Sequence, residues 1–333
     1  YRRAIELRPD LAIAHYNLGT VLQQRGEIDT AIAHLAQAVE LQPDYILARL
    51  SLGNLALERG RADEAAQHFE RVLALRPDDV AARGLYGAAL YQLGRPEESL
   101  AHTERALALA PGNPDFHNNL GGALLALERI DEAIARFQDA IRLRPDFAAA
   151  QMNLGNAWLA KGRIHDALWQ FQSVLELRPD DASVHNDLAN ALLQAGRADE
   201  AIAHFQRALE LRPDFTQGHH NLGYVLLQRE QVDAAIAHFE RALALDPGFV
   251  AARYQLANAL LRRGDRVGAI REFQEVLAMQ PASVPVLNDL GVAFVQQGDE
   301  DAALAHFQMA LETDASSPEA HNNLGKLLLH KGH

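Results

Sequence analysis

The chain has no cysteine. That removes disulfides, thiolate nucleophiles and cysteine-based zinc sites together. Only three of its 31 basic side chains are lysines (Lys161, Lys326 and Lys331), which reads as genomic base bias rather than function. No apolar run is long enough for a membrane-spanning helix, and no signal peptide precedes the first patterned residues. The net charge is −13 with a pI near 5.6. Such an acidic chain is a poor match for phosphate backbones or anionic lipid, so neither nucleic acid nor membrane is an expected partner. The expected location is cytoplasmic. The first residue is Tyr1, already inside a helix-like pattern, which suggests a piece of a longer protein.

Catalytic signatures are also missing. There is no Walker-type phosphate loop, G-x-G-x-x-G, G-x-S-x-G or H-E-x-x-H. The chain is expected not to be an enzyme, with no catalytic residue, cofactor or metal site. A catalytic domain outside this stretch is left open.

What is present is a period. Pro9, Pro43, Pro77, Pro111, Pro145, Pro179, Pro213, Pro247 and Pro281 recur every 34 residues. A period of that length signals a stacked array of small modules. With Ala12 as slot 1, the prolines fall at slot 32. Full repeats then span 12–45, 46–79, 80–113, 114–147, 148–181, 182–215, 216–249, 250–283 and 284–317, with partial repeats at 1–11 and 318–333.

Each repeat reads as two helices. The first covers roughly slots 2–14 and ends at a glycine at slot 15, where a left-handed residue suits a helix C-terminus. Glu128 and Glu230 replace that glycine, so those two turns are expected to differ. The second helix is expected to start on an acidic N-cap such as Asp29, Asp63, Asp131, Asp199 or Asp233. The slot-32 proline ends it. The other four prolines (Pro96, Pro114, Pro285 and Pro318) fall in first turns, where a missing N–H costs nothing. Slot 8 is Gly or Ala throughout, which lets two helices approach. Slot 24 is Phe in seven repeats, a ring expected to fill the core.

Leu154, Gly155, Trp158, Ala167, Phe171, Val174 and Pro179 in one repeat carry a pattern that resembles the tetratricopeptide repeat family, and the resemblance covers essentially the whole chain. Repeat 80–113 departs most, with Tyr86, Ser99 and Thr103 at fixed positions. Its packing is expected to be the loosest. The resemblance implies an all-α fold, a single α-solenoid of tandem helix-turn-helix repeats coiled into a right-handed superhelix. Its inner surface would be formed by the first helix of each pair, with slots 2, 5, 6, 9, 12 and 13 facing inward.

Thirteen of the 14 asparagines lie at slots 5, 6 or 9. They are Asn118, Asn186, Asn288 and Asn322 at slot 5. Asn17, Asn119, Asn153, Asn221 and Asn323 stand at slot 6. Asn54, Asn156, Asn190 and Asn258 stand at slot 9. Asparagine inside a helix is unfavourable by roughly half a kcal/mol relative to Ala, so the stripe needs a reason. One reading is a ladder of donor–acceptor amides holding an extended peptide by its backbone. The resemblance adds that the superhelical repeats of O-linked N-acetylglucosamine transferases use such a ladder. The other reading is structural: duplication spreads the sequence, and the amides bond neighbouring helices.

The inner lining changes along the chain. Ile13, Tyr16, Leu47, Leu50, Leu85 and Tyr91 make it apolar early, although Leu47 and Leu85 also suit packing between helices. Later it carries amides with Asp187, Asp289, His220, Tyr224, Tyr254 and Gln255. An apolar anchor followed by an amide track suits a partly hydrophobic peptide. Family members that clamp a C-terminal carboxylate use Lys at slots 2 and 5 and Arg at slot 6. Slot 5 here has no Lys and slot 6 no Arg, so a chaperone-tail carboxylate clamp is not expected. The histidines cluster at slots 4 and 23. Columns one helix diameter apart, about 10 Å, cannot converge on a metal.

Three functions follow as expectations. The first is a non-catalytic scaffold binding a peptide or protein on the concave face, through the Asn positions with Tyr224 and Tyr254. The second is the substrate-docking region of a larger enzyme such as a glycosyltransferase. The third is an architectural array joining end to end through terminal helices, where Leu327, Leu328 and Leu329 would lack a covering helix.

Overall fold

The computed structural model describes residues 1–331. Among them are twenty α-helices and no strand. Contacts divide the chain into two compact units, Tyr1–Leu177 and Arg178 onward.

The first unit opens with α1 (Arg2–Leu7). Five helix pairs follow: α2 (Ala12–Gln24) with α3 (Ile28–Leu41), α4 (Ile46–Glu58) with α5 (Ala62–Leu75), α6 (Val80–Gln92) with α7 (Pro96–Leu109), α8 (Pro114–Ala126) with α9 (Ile130–Leu143), and α10 (Ala148–Ala160) with α11 (Ile164–Leu177). The second unit has α12 (Ala182–Gln194) with α13 (Ala198–Leu211), α14 (Thr216–Gln228) with α15 (Val232–Leu245), α16 (Val250–Arg263) with α17 (Arg266–Met279), and α18 (Val284–Gln297) with α19 (Glu300–Thr313). It closes on α20 (Pro318–His330). In each unit the two helices of a pair pack together, and the second packs on the first helix of the next pair.

The turns inside the pairs follow one backbone rule. Gly26, Gly60, Gly94, Gly162, Gly196, Gly264 and Gly298 are left-handed, with φ between 69° and 90°. The turns at Glu128 and Glu230 do not differ, contrary to expectation: these residues take φ 59° and 61°. The geometry of the pair dictates the turn, and the glutamates bear the Cβ strain that glycine avoids.

The core between helices rests on slots 8 and 24. A Cβ added at Gly155 would lie 2.5 Å from Phe171 Cε1, and one at Gly53 would lie 2.5 Å from Phe69 Cε1. The ring occupies the space where a side chain would be. All seven slot-24 phenylalanines are buried. In repeat 80–113 the ring is replaced by Thr103, and both Thr103 and Ser99 are fully buried. Ser99 Oγ donates to the Gly87 carbonyl at 2.7 Å. Thr103 Oγ1 has no hydrogen-bond partner.

Acidic N-caps form at two of the second helices, where Asp265 and Asp299 cap α17 and α19 and accept backbone N–H bonds from Gly268 and Ala302. The aspartates named from the sequence are not caps. Asp29, Asp63, Asp131, Asp199 and Asp233 are the second residue of the helix, and the caps are Glu27, Arg61, Arg129, Arg197 and Gln231, none bonding through its side chain. Position N2 still favours an acid through the helix dipole. Four of these aspartates also pair with a base at the end of the next first helix: Asp29 with Arg59, Asp131 with Lys161, Asp199 with Arg229, and Asp233 with Arg263. Such exposed pairs contribute little individually.

Slot 4 has a recurrent task. In the eight repeats where it is His, Arg or Gln, its side chain reaches back six residues to the carbonyl of the slot-32 proline; Leu287 in repeat 284–317 has no donor to do so. His15, His117, His185 and His219 bond Pro9, Pro111, Pro179 and Pro213 through Nε2 at 3.0–3.1 Å. Arg49, Arg83, Gln151 and Arg253 do the same to Pro43, Pro77, Pro145 and Pro247. The proline lies just past the C-cap, outside the helix, and slot 4 gives its loop carbonyl a donor.

At the end of the described chain, Leu327 is not uncovered as the sequence suggested. It is buried against Ala303 and Phe307, while Leu328 is half-buried and Leu329 exposed.

Candidate functional site

Within each unit the first helices of successive repeats touch one another. In the first unit this holds from α2 through α10, and in the second for α14 with α16 and α18 with α20. No pair of second helices makes comparable contact among the described residues. The first helices therefore line the inner side of each unit, and the slots they share form its surface.

The amides on that face fall into two groups. One group bonds between repeats. Asn153 Nδ2 donates to Asn118 Oδ1, Asn221 Nδ2 to Asn186 Oδ1, and Asn323 Nδ2 to Asn288 Oδ1, each at 2.9 Å. Each bond runs from slot 6 back to slot 5 of the preceding repeat. Asn186 and Asn288 are buried, and their Nδ2 groups point to Asp187 and Asp289 at 3.2 and 3.5 Å. These two amides are engaged on both ends and serve the joint between modules. That departs from the expectation of a free, ligand-facing ladder at slot 5.

The other group keeps hydrogen-bonding capacity toward water. Asn17, Asn54, Asn119, Asn190 and Asn258 are half-buried, while Asn156, Asn322 and Tyr224 are exposed. Asn54 Nδ2 reaches Glu58 at 2.9 Å and Asn258 Nδ2 reaches the Tyr254 carbonyl at 3.2 Å, leaving their oxygens unoccupied. Asn153 and Asn323 donate through nitrogen alone, so their Oδ1 atoms stay available. Asn221 is more occupied, since its Oδ1 accepts from Gln217 at 2.7 Å.

The apolar part of the face lies in the first unit. Ile13, Leu47 and Tyr91 are 54%, 52% and 44% exposed, and the Tyr91 ring also lies against Gly122 of α8. Leu47 thus departs from the packed role considered for it. Leu85 and Leu50 are half-buried against the cluster around Phe69. Tyr16 lies against Tyr45, ring centroids 5.1 Å apart.

The second unit has the titratable groups. Tyr254 donates its hydroxyl to Asp289 Oδ2 at 2.5 Å. Burial, followed by that bond, pushes the phenol up to about 12, so it remains a donor at any working pH. Burial raises Asp187 and Asp289 above the usual carboxylate range, with hydrogen bonds from Asn186, and from Tyr254 and Asn288, opposing the rise. Burial lowers His220, opposed by its bond to Asn221. Among the described residues no cluster of His, Asp and Glu could hold a metal. No described helix is long and apolar enough to cross a membrane.

The structural reading of the asparagine stripe, amides bonding neighbouring helices, holds at the slot-6 to slot-5 pairs, although the sequence did not say which asparagines would pair. The signal was visible as asparagines 35 residues apart, but spacing alone cannot say whether two amides face each other or water.

Tetratricopeptide repeat family models match residues 10–78, 50–114, 118–182, 159–214 and 226–285, and a TPR repeat model matches 291–332. No curated protein matches the sequence. The chain is similar in structure to the APC/C hetero-tetramer Cut9-Hcn1, with TM-score 0.67 and 18% identity over 91% of this chain. It spans 59% of that chain's length, and at that identity the likeness carries the fold alone. It is also similar to TTC0263, a thermophilic TPR protein in Thermus thermophilus, with TM-score 0.51 and 26% identity over 55% of this chain and 99% of that one. The period, the helix pairs, the Gly–Phe packing and these matches agree, and the chain belongs to the tetratricopeptide repeat family.

Proposed function

We propose that the chain is a non-catalytic scaffold that holds an extended peptide or protein segment along the inner face of its first helices. The observation that carries this is the row of side-chain amides with hydrogen-bonding atoms left over after the joints between repeats are made. In the first unit Asn17, Asn54, Asn119, Asn153 and Asn156, and in the second Asn190 and Asn258, present donors or acceptors on the first helices. A peptide backbone offers the complementary groups at every residue. Fixing such atoms on rigid helices lowers the ordering cost of binding. The apolar side chains Ile13, Leu47 and Tyr91 supply an anchor on the same kind of face.

Asn118, Asn186, Asn221, Asn288, Asn322 and Asn323 belong to the same face, the joint-forming ones acting by keeping neighbouring first helices in register. The test separates the groups. Peptides selected on the chain from a random display library should bind more weakly after Asn54→Ala, Asn156→Ala and Asn190→Ala together, while the melting temperature holds or rises. Unchanged binding in a folded triple variant would reject the role of these amides.

A further inference from the structure

Slot 5 carries an aromatic ring in three repeats: Tyr16, His220 and Tyr254. In two of them another ring, 29 residues later at slot 34, covers it. Tyr45 lies against Tyr16 with centroids 5.1 Å apart, and Phe249 lies against His220 at 5.0 Å. The third has no such cover, because residue 283 is serine. The backbone there does not differ: Tyr45, Phe249 and Ser283 have φ of −76°, −74° and −80° and ψ of 88°, 83° and 98°. Each also donates its N–H to the carbonyl three residues earlier. Ser283 makes no capping bond with its side chain. The loop is therefore the same loop with the ring removed.

The space shows as a cavity of about 580 Å³ lined by Phe249, Ala251, Tyr254, Ser283, Pro285 and Val286 among others. That lies within the usual range for ligand pockets, about 300–1,000 Å³. Its walls are mainly apolar, and small residues (Ala251 and Ser283) keep it open. The floor is rigid: Tyr254 is held by its bond to Asp289 at 2.5 Å and packs on Phe273 with centroids 6.0 Å apart. Asn258, one turn further along α16, stands on the same face with its oxygen unoccupied.

We infer that this niche in the second unit receives an aromatic side chain of the bound peptide, which takes the place that Tyr45 and Phe249 fill elsewhere in the chain. The inference rests on the groove reading above and adds a specificity determinant to it. The chain itself provides the template, since two other repeats show that a ring at this location is accepted by the same backbone. An offset or tilted ring pair would form with Tyr254, while the amides beside the niche engage the peptide backbone.

The test uses the whole chain and a random dodecapeptide display library. Selected peptides should be enriched in Phe, Tyr or Trp at one position. Replacing that residue by Ala should weaken binding about tenfold or more, as for a buried anchor. Ser283→Phe, which closes the niche from within, should weaken the aromatic peptide equally and leave the Ala version unchanged. Ser283→Ala, which keeps it open, should hold affinity within about twofold. Thermal melts establish that Ser283→Phe is folded, and Ser283→Leu serves as a second filling variant. If both filling variants bind the aromatic peptides like the native chain, the niche is not the anchor, while loss on Asn54, Asn156 and Asn190 replacement still upholds the groove. If N-acetylphenylalanine amide alone binds as tightly as the peptides, the site takes a small molecule and the peptide assignment fails. If no peptide is selected, both readings fall.

Discussion

His185 Nδ1 lies 2.9 Å from His204 Nδ1, joining the two helices of one repeat. The proton positions follow from the other end of His185, whose Nε2 lies 3.0 Å from the Pro179 carbonyl. A carbonyl can only accept, so Nε2 carries the hydrogen, His185 Nδ1 is the acceptor, and His204 Nδ1 donates. His15 with His34, and His219 with His238, repeat the arrangement at 3.1 and 3.0 Å. A first added proton goes to the outer nitrogen of the slot-23 ring and leaves the bond intact. A second would place two donors face to face.

Stability should therefore fall on mild acidification. Burial, followed by the partner histidine, holds His34, His204 and His238 below their ordinary value of 6.5. Burial and then the Arg49 and Arg83 guanidinium groups lower His68 and His102. The unfolded chain takes up protons as pH falls through 6.5, and the native chain takes them up only lower, so acid favours unfolding in that window. Stability is fully present above 6.5. The raised carboxylates Asp187 and Asp289 act in the opposite sense but are fewer. Urea midpoints at about pH 7.5 and about pH 5.5 should show the loss. Converting the three His–His pairs to Gln–Gln, as at Gln151 and Gln170, should reduce it, leaving the part due to His68 and His102. An equally steep dependence in that variant would exclude the histidine pairs as its source.

Glu128→Gly and Glu230→Gly should each stabilise the fold. A left-handed non-glycine residue costs about 1–2 kcal/mol, and both glutamates hold that conformation. We expect a gain of about 1 kcal/mol per site after the extra chain entropy of glycine. The sites are far apart in sequence, so the gains should add. Chemical denaturation of the single and double variants checks this.

Thr103→Val should also stabilise. The Thr103 hydroxyl is buried without a partner, a penalty of about 1–3 kcal/mol, and valine keeps the shape. The gain should appear as a higher denaturation midpoint with an unchanged slope.

The Asn186–Asn221 bond should show as coupling. Asn221→Ala leaves the buried Asn186 oxygen without its inter-repeat donor, a loss of about 1 kcal/mol or more. Asn186→Ala and the double variant complete a cycle, with an expected interaction of about 0.5–1.5 kcal/mol. Additive losses would mean that the contact contributes nothing of its own.

Much of this chain can be read without coordinates. The nine prolines, the slot-8 glycines and the slot-24 phenylalanines locate the helix pairs, because each type has one structural task and recurs on one period. The reading failed where a residue has two admissible tasks. Asp29 and its equivalents suit a cap and also position N2, and two residues of register decide between them. Glu128 and Glu230 suggested altered turns, yet packing of the pair outweighed their preference. Leu47 suited both a core and a surface position, and the structure places it in solvent.

The sequence by itself determined the architecture: modules of fixed length, what ends each helix, and which slots are kept small or aromatic. These are short-range matters of backbone conformation and volume, repeated until chance is excluded. Only the tertiary structure decided how the polar side chains pair. Whether Asn186 faces Asn221 or water, whether His185 finds His204, and whether Tyr254 is covered at residue 283 depend on contacts between helices. An amide or imidazole suits several partners equally, and only its position in the packed chain selects one.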